Sequence, residues 1–337
     1  MKVFRGLPNA EARAPCALTI GNFDGVHRGH QALIARMREA AAARGLDCAV
    51  MTFEPHPREF FAERAGDPTK APPRIAGLRD KLQSLSQAGV DRVIVEHFNA
   101  HLAALSPEDF VEQILVQGLH AKWIIVGEDF CYGARRGGNL ASLIAAGRQR
   151  GFEVEALGNI TAPLTAASAS DGAAATATRI SSSAVRLALA QGDFTLAREL
   201  LGHDYRMSGH VVHGAKLGRT LGFPTLNLRL SHKRPVLSGI YVVQVHGLAS
   251  KPLPAVASIG VRPTVDDSGR VLLETHVFDF DQQCYGKLIQ VEFLQKLRDE
   301  QKYGNLASLT EAIANDAAQA RTWFRQERQA ISATDRI

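Results

Sequence analysis

An α/β domain followed by a β domain is the fold that this sequence predicts, and three observations predict it. Up to about Gly158 short apolar runs alternate with amphipathic helical patterns, and from Tyr205 onward β-branched runs follow one another closely. At 337 residues and 45% hydrophobic, the chain also exceeds what one core usually serves. Strand–helix alternation implies a parallel, doubly wound sheet, whereas closely spaced strands imply an antiparallel sheet or small barrel.

In the first half, residues 16–20, 47–53, 92–96 and 122–126 read as strands. A helix from about His30 places Leu33, Ile34, Met37, Ala40 and Ala41 on one face. Ser106-Pro107-Glu108-Asp109 supplies an N-cap, an N1 proline and a capping-box acid. In the second half, residues 207–212, 239–246, 255–259, 272–280 and 288–294 read as strands, closed by a helix over 306–330. Between the halves, residues 161–178 are rich in Ala, Thr and Ser without periodicity and read as a mobile loop before a helix starting near Ser183. The expected domains are 1–186 and 187–337.

A charged fraction of 22% with scattered signs argues against disorder, and the net charge of +5 favours an anionic partner. No run of five Lys and Arg occurs, and the basic residues stand singly beside glycines, as suits phosphate-bearing small molecules. Cys16, Cys48, Cys131 and Cys284 form no CxxC pair, so neither a disulfide framework nor a zinc site is expected, and a cytoplasmic home is. The first residues lack an apolar signal core, and no stretch of about 18 uncharged apolar residues exists to span a bilayer.

Directly after the first strand comes Gly21-Asn22-Phe23-Asp24-Gly25-Val26-His27-Arg28-Gly29-His30. Small residues at the carboxyl end of a strand let the backbone approach a phosphate, and the helix that follows aims free N–H groups at it. His27 and His30 can donate to a pentacoordinate α-phosphate while Gly29 leaves room for adenine. The lesser alternative is that the pair simply caps the helix or binds a metal, for which two histidines without a third ligand are a weak signal. GxGxxG is absent, which argues against a dinucleotide redox fold.

A second glycine-rich stretch, Gly214-Ala215-Lys216-Leu217-Gly218-Arg219-Thr220, has three residues between its glycines where a Walker A loop has four, and follows a strand in an all-β context. It reads as a flap over nucleotide phosphates, with Gly214, Lys216, Gly218 and Arg219 as ATP contacts. Thr225 and Asn227 point the same way from an extended segment, so two neutral oxygens can ligate one Mg²⁺, although the run taken alone reads more readily as a turn followed by a core strand. Glu274 and His276 share a face, and the carboxylate of Glu274 can orient a primary alcohol for phosphorylation; His276 is given no catalytic role.

The HRGH tetrapeptide resembles the HxGH signature of nucleotidylyltransferases, and GNFDGVHRGHQ resembles their prokaryotic FAD synthetase branch. Thr52 to Arg58, Gly127 to Phe130 and Ile180 to Arg186 agree with that branch. In the second half, the GRTLGFPTLN run, Ser238-Gly239-Ile240-Tyr241, Ile259 to Thr264, Glu274 to Asp281, Tyr285-Gly286-Lys287 and Leu297 to Glu300 resemble riboflavin kinase. Over residues 15–330 the chain therefore resembles the prokaryotic bifunctional riboflavin kinase and FAD synthetase family.

The resemblance implies a Rossmann-like nucleotidylyltransferase domain and a kinase β-barrel, acting on riboflavin, FMN and ATP, with FAD as product. It implies that Gly21, Asn22, Phe23, Asp24 and Gly29 meet ATP and that Ser182, Ser183 and Arg186 grip its β and γ phosphates. His56, Pro57, Arg58 and Asp129 would sit by the flavin, Glu274 would be the kinase base, and Arg298 would lie near phosphates or flavin. Ser182 and Ser183 would also serve as plain helix caps, and His56 as a turn residue between prolines. Members often carry Arg and Phe where this chain has Cys131 and Tyr132, which leaves Arg135 or Arg136 to supply the cation. Ser258 replaces an expected Asn and Cys284 an expected Leu; neither removes a catalytic group.

Two rival readings are a single-activity enzyme with one silent half, and an RNA-binding protein, since HxGH-type folds occur in aminoacyl-tRNA synthetases. Neither a KMSKS-like loop nor an aromatic-rich basic stripe is present for the latter. The expected partners are small molecules, without nucleic acid or membrane; an oligomer is possible but not indicated.

Overall fold

A computed structural model describes residues 1–162, 178–214, 218, 221–230, 234–260 and 271–334. It divides into two compact units: Met1–Pro72 with Lys81–Ser182, and Pro73–Asp80 with Ser183–Ile337.

The first unit is built on a parallel sheet of β1 (Lys2–Arg5), β2 (Cys16–Ile20), β3 (Asp47–Glu54), β4 (Arg92–His97), β5 (Ala121–Gly127) and, after a short β6–β7 hairpin (Cys131–Tyr132, Gly138–Asn139), β8 (Glu153–Leu157). The order is β1-β4-β3-β2-β5-β8, and every pairing in it is parallel. All five residues of the central strand β2 are buried, as a strand with both faces covered requires. The edge strands β1 and β8, which the apolar-run reading did not find, carry Lys2, Arg5, Glu153 and Glu155; charge on an edge deters pairing with other chains.

Helix α1 (Arg28–Arg44) buries Ile34, Met37, Ala40 and Ala41, the face the sequence predicted, and ends on left-handed Gly45. After α2 (Pro57–Arg64), α3 (Leu78–Gln87) and α4 (Ala100–Ala104), Ser106 caps α5 (Pro107–Asp109), which continues as a π-helix over Phe110–Gly118. Leu115, Phe110 and Leu143 of α6 (Leu140–Arg150) pack with Leu18, Met51 and Ile124 of the sheet. Thr161–Ala162 (β9) and Thr178–Arg179 (β10) pair antiparallel; the rest of the loop expected over 161–178 lies outside the described residues.

The second unit opens with α7 (Ser182–Gln191) and α8 (Phe194–Leu201). A closed barrel follows, of β11 (Arg206–Val212), β12 (Leu226–Arg229), β13 (Gly239–His246), β14 (Leu253–Gly260), β15 (Leu272–Val277) and β16 (Leu288–Arg298), in the order β11-β12-β15-β14-β13-β16. β15 stops short of the predicted Phe280 because Asp279 turns the chain in a left-handed conformation (φ 56°). β13 is buried on both faces, since Ile240 and Val242 are covered by Ala317 and Ala320 of helix α9 (Leu306–Thr334). Alanines at those positions keep helix and barrel close. Across the β11–β16–β13 seam, buried Glu292 accepts hydrogen bonds from Arg206 (2.8 Å), Gln244 (2.9 Å) and His246 (2.8 Å), which compensates the burial of its charge.

The segment Pro73–Asp80 is bonded within the second unit. Arg74 N donates to Arg234 O (2.8 Å), Tyr205 Oη to Ile75 O (2.8 Å) and Ser208 N to Asp80 Oδ2 (3.4 Å).

Glu96, near the end of β4, has a covered oxygen with no hydrogen-bond partner, and burial raises its pKa. A raised value means that the fold favours the protonated carboxyl. That contribution is present below the unfolded-state value and is lost as pH rises through the folded one, so at neutral pH the charged Glu96 is a cost. Glu96→Gln should therefore raise the denaturation midpoint at neutral pH, with a gain that shrinks as the solution is acidified through the carboxylate range. An equal gain at both ends of a pH series of urea melts would remove the charge as its source.

Candidate functional site

β2 has β3 on one side and β5 on the other, so the strand order reverses beside it, and a crevice opens outside the carboxyl ends of β2 and β5. Thr19, Gly21, His27, Gly29 and His30 line it, with Gly127 and Asp129 beyond β5 and Ile180 to Ser182 opposite, around a cavity of ≈ 270 Å³. The loop leading into α1 is bent by left-handed conformations at Phe23 (φ 48°), Gly25 (φ 85°) and Val26 (φ 39°). A β-branched residue is rarely held so, and such strain concentrates at functional sites.

His27 caps α1: its Nδ1 accepts from His30 N at 3.4 Å, and the two imidazoles stack at 3.7 Å. A Cβ on Gly29 would come within 3.2 Å of His27 Nδ1 and 3.5 Å of Ile180 O, so glycine lets these groups close up. Burial first, then His27 and Lys81, hold the His30 pKa well below the ordinary imidazole value, which leaves a neutral ring able to donate one N–H. Thr19 Oγ1, Asn22 Oδ1 and His30 Nδ1 are covered polar atoms with no hydrogen-bond partner. Buried polar atoms are nearly always satisfied, so Thr19 and His30 on the crevice and Asn22 on the adjoining cavity indicate a polar ligand. Ser182 Oγ donates to Asp24 O at 3.2 Å, a bond within the first unit.

Lys81 was not singled out from sequence. It is wholly buried, and its Nζ donates to Thr52 Oγ1 (3.3 Å), which donates to Asn22 O (3.1 Å), so a cation braces the loop from beneath. Its signal was a lysine on the apolar face formed by Leu78, Leu82 and Leu85. Ser183 and Arg186, expected with Ser182 on the ATP phosphates, fall in the second unit, where Arg186 Nε donates to Pro73 O at 2.8 Å.

Next to the crevice lies a larger cavity of ≈ 600 Å³. Phe53, Phe61, Phe98, Phe110, Phe130 and Tyr132 give it aromatic walls, and His56, Pro57, Arg58 and Asp129 all line it. His56 is the N-cap of α2, with Nδ1 accepting from Arg58 N at 3.0 Å and Glu59 reaching back to His56 N at 3.2 Å. Asp129 pairs with Arg179 at 3.1 Å. Large flat walls with few polar groups suit a planar ring system.

In the second unit one row of ladder partners crosses five strands: Asn227, Glu274, Ser258, Ile240 and Arg298 stand side by side. Opposed residues of antiparallel strands project to the same face. Glu274, Ser258, Ile240 and Arg298 accordingly line, with Thr225 and Gly218, a pocket of ≈ 400 Å³ between the barrel and α9. Phe223 and Tyr303 contribute aromatic wall. Asn227 is buried beside Gly214, where a Cβ would collide with its carboxamide. Lys216 and Arg219 lie outside the described residues.

Arg298 is clamped by Asp316 of α9 through two hydrogen bonds (2.8 and 2.6 Å), which raise its pKa. Asp316 was missed, although an acid among Ile313, Ala317 and Ala320 on one helix face was legible as a buried partner. His276 Nδ1 donates to Pro224 O at 2.8 Å and holds the chain entering β12, a structural task. No group of three or more His, Cys, Asp or Glu that could hold a metal occurs among the described residues; the oxygens of Thr225 and Asn227 are neutral.

A parallel sheet whose order reverses at a phosphate-type strand-to-helix loop, and a separate unit with its own aromatic-walled pocket, fit the class of two-site transferases that handle phosphates. A family model described as FAD synthetase matches residues 9–170, and one described as riboflavin kinase matches residues 201–324. The bifunctional riboflavin kinase/FMN adenylyltransferase of Escherichia coli K12 is 44% identical over 96% of this chain and 98% of its own length. That of Pseudomonas fluorescens is 44% identical over 95% and 97%. A solved structure described as a macrolide-efflux protein from Streptococcus pneumoniae superposes with a TM-score of 0.69 at 26% identity, covering 95% of this chain and 98% of that one. The chain belongs to the bifunctional riboflavin kinase/FMN adenylyltransferase family. Among the described residues no helix is long and apolar enough to cross a membrane.

The two glycines at Gly29 and Gly214 should dissociate the two pockets. Gly29→Ala crowds His27 and should slow FAD formation from supplied FMN by about tenfold, with FMN formation from riboflavin unchanged. Gly214→Ala displaces Asn227 and should do the reverse, at about a hundredfold cost, the order expected for misplacing a positioning group by about an ångström. Separate rate measurements on the two half-reactions check both.

Proposed function

We propose that this protein phosphorylates riboflavin to FMN in the pocket of its second unit and adenylylates FMN to FAD at the crevice of the first, with ATP as co-substrate in both steps. One observation carries the reading: each unit sets an aromatic-walled cavity large enough for a planar ring beside a motif suited to phosphate. The functional domains are proposed as 1–186 and 187–337, with Pro73–Asp80 belonging structurally to the second.

In the kinase step the riboflavin 5′-hydroxyl attacks the γ-phosphorus of ATP, an O–P bond forms, and the bond to the β-phosphate oxygen breaks. Glu274, directly beside Asn227 in the ladder, orients the hydroxyl and takes its proton as the bond forms. Asp316 fixes Arg298 in the same row, so that guanidinium shapes the pocket with most of its charge already matched. Thr225 and Asn227 are hard, neutral oxygen donors and fit Mg²⁺, which when bound neutralises phosphate charge.

In the adenylylation step an FMN phosphate oxygen attacks the α-phosphorus of a second ATP and pyrophosphate leaves. Charge that builds on the α-phosphate is met by the N-terminus of α1 and by N–H donation from neutral His30 and from His27. Ser182, which lines the crevice, is proposed as a partner of the leaving pyrophosphate. Free cysteines at all four positions, with burial pushing Cys16 and Cys48 up to about 11, suit a reducing cytoplasm.

Purified protein given riboflavin, ATP and Mg²⁺ should accumulate FAD. Glu274→Ala should lower FMN formation by about 10²-fold or more, and His30→Ala should stop the sequence at FMN. Chromatography of the products decides: FMN made at the parent rate by Glu274→Ala, or FAD by His30→Ala, would overturn the respective assignment.

A further inference from the structure

Three arginines line the aromatic-walled cavity of the first unit: Arg58 at the start of α2, and Arg135 and Arg136 in the turn between β6 and β7. All three are exposed. Among the described residues, the side chains of Arg135 and Arg136 make neither a hydrogen bond nor an ion pair. Asp129, the carboxylate on the same lining, is already matched by Arg179. The cavity mouth therefore carries positive charge that the protein itself does not balance.

The turn makes the choice of residues unusual. Arg135 (φ 54°) and Arg136 (φ 58°) are both left-handed, a conformation disfavoured for any side chain with a Cβ and free for glycine. The turn is imposed from outside: Ala134 N donates to Leu105 O at 2.7 Å, and Gly133 lies so close to Pro107 that a Cβ would stand 2.8 Å from its nitrogen. Two glycines would suit this backbone better than two arginines, so conformation does not account for the side chains. Position 131 on the same lining is cysteine, which supplies no charge there.

We infer that Arg135 and Arg136 bind the phosphate of the flavin acceptor and make this cavity select a phosphorylated flavin over the free one. The inference rests on the reading of the first unit as an adenylyl-transfer site. An aromatic box alone holds riboflavin and FMN equally, because the ring is common to both; only the phosphate dianion distinguishes them. Guanidinium forks match its oxygens pairwise, and a phosphate with two oxygens held keeps a third for attack on ATP.

Arg135→Gly, Arg136→Gly and the double variant test this on the full chain, because glycine removes the guanidinium and releases the backbone strain together. The expected result is a Michaelis constant for FMN in FAD formation raised about tenfold per variant and further in the double, as loss of a charge-assisted hydrogen bond implies. The thermal midpoint should be unchanged or higher, and the rate of riboflavin phosphorylation unchanged. Lumiflavin, which has the ring and no phosphate, should inhibit FAD formation equally in parent and variants. A double variant with the parent's Michaelis constant for FMN, or equally weakened inhibition by lumiflavin, overturns the assignment of these arginines. A parent chain that forms no FAD from FMN and ATP overturns the adenylyl-transfer reading itself, and the inference with it.

Discussion

A helix N-terminus fixed at the carboxyl end of a fully buried parallel strand is the constraint on which the first unit depends. β2 cannot move, because both its faces and both its neighbours are protein, and the loop that leaves it is forced through three left-handed residues before α1 begins. The rigid strand makes that strain tolerable: the loop is held where two stacked, largely covered imidazoles line the crevice, rather than relaxing into a lower-energy turn. Lys81 and Thr52 support it from below, so the site is braced by buried polar groups whose placement depends on α3 and β3 as much as on the motif itself.

The barrel solves a related problem by register. No loop brings Asn227, Glu274, Ser258 and Arg298 together; they meet because four consecutive ladders of the barrel are in step. A slip of one residue in any of them would turn part of that row to the other face. The packing of α9 on β13 and β14 and the Asp316–Arg298 clamp therefore bear directly on the chemistry, since they hold the far end of the row.

Much of this was legible in the sequence, for physical reasons that also mark its limits. Interior strands such as β2, β3 and β13 read clearly, because strands covered on both faces are apolar throughout. β1 and β8 did not, because edge strands carry Lys2, Arg5, Glu153 and Glu155, and charge hides a strand from a search for apolar runs. Where chemistry and local spacing coincide, the motif residues named from sequence line cavities: His27 and His30 one, Thr225 and Glu274 another. Residues that act through burial were missed: Lys81 and Asp316 look like ordinary surface charges until the helix faces on which they sit are known to be covered. The offset of Glu274 from Asn227 across a ladder is likewise a fact of register, which no short stretch of chain contains.

The excursion of Pro73–Asp80 bears on how the two activities can be separated genetically. A truncation that begins after residue 186 looks tidy on the linear map, yet it would discard the partners of Arg234, Tyr205 and Ser208, three attachments made by a stretch more than a hundred residues upstream. A gene fragment encoding the carboxyl-terminal half alone leaves those three attachments unmade, whereas one that carries the octapeptide as well keeps them.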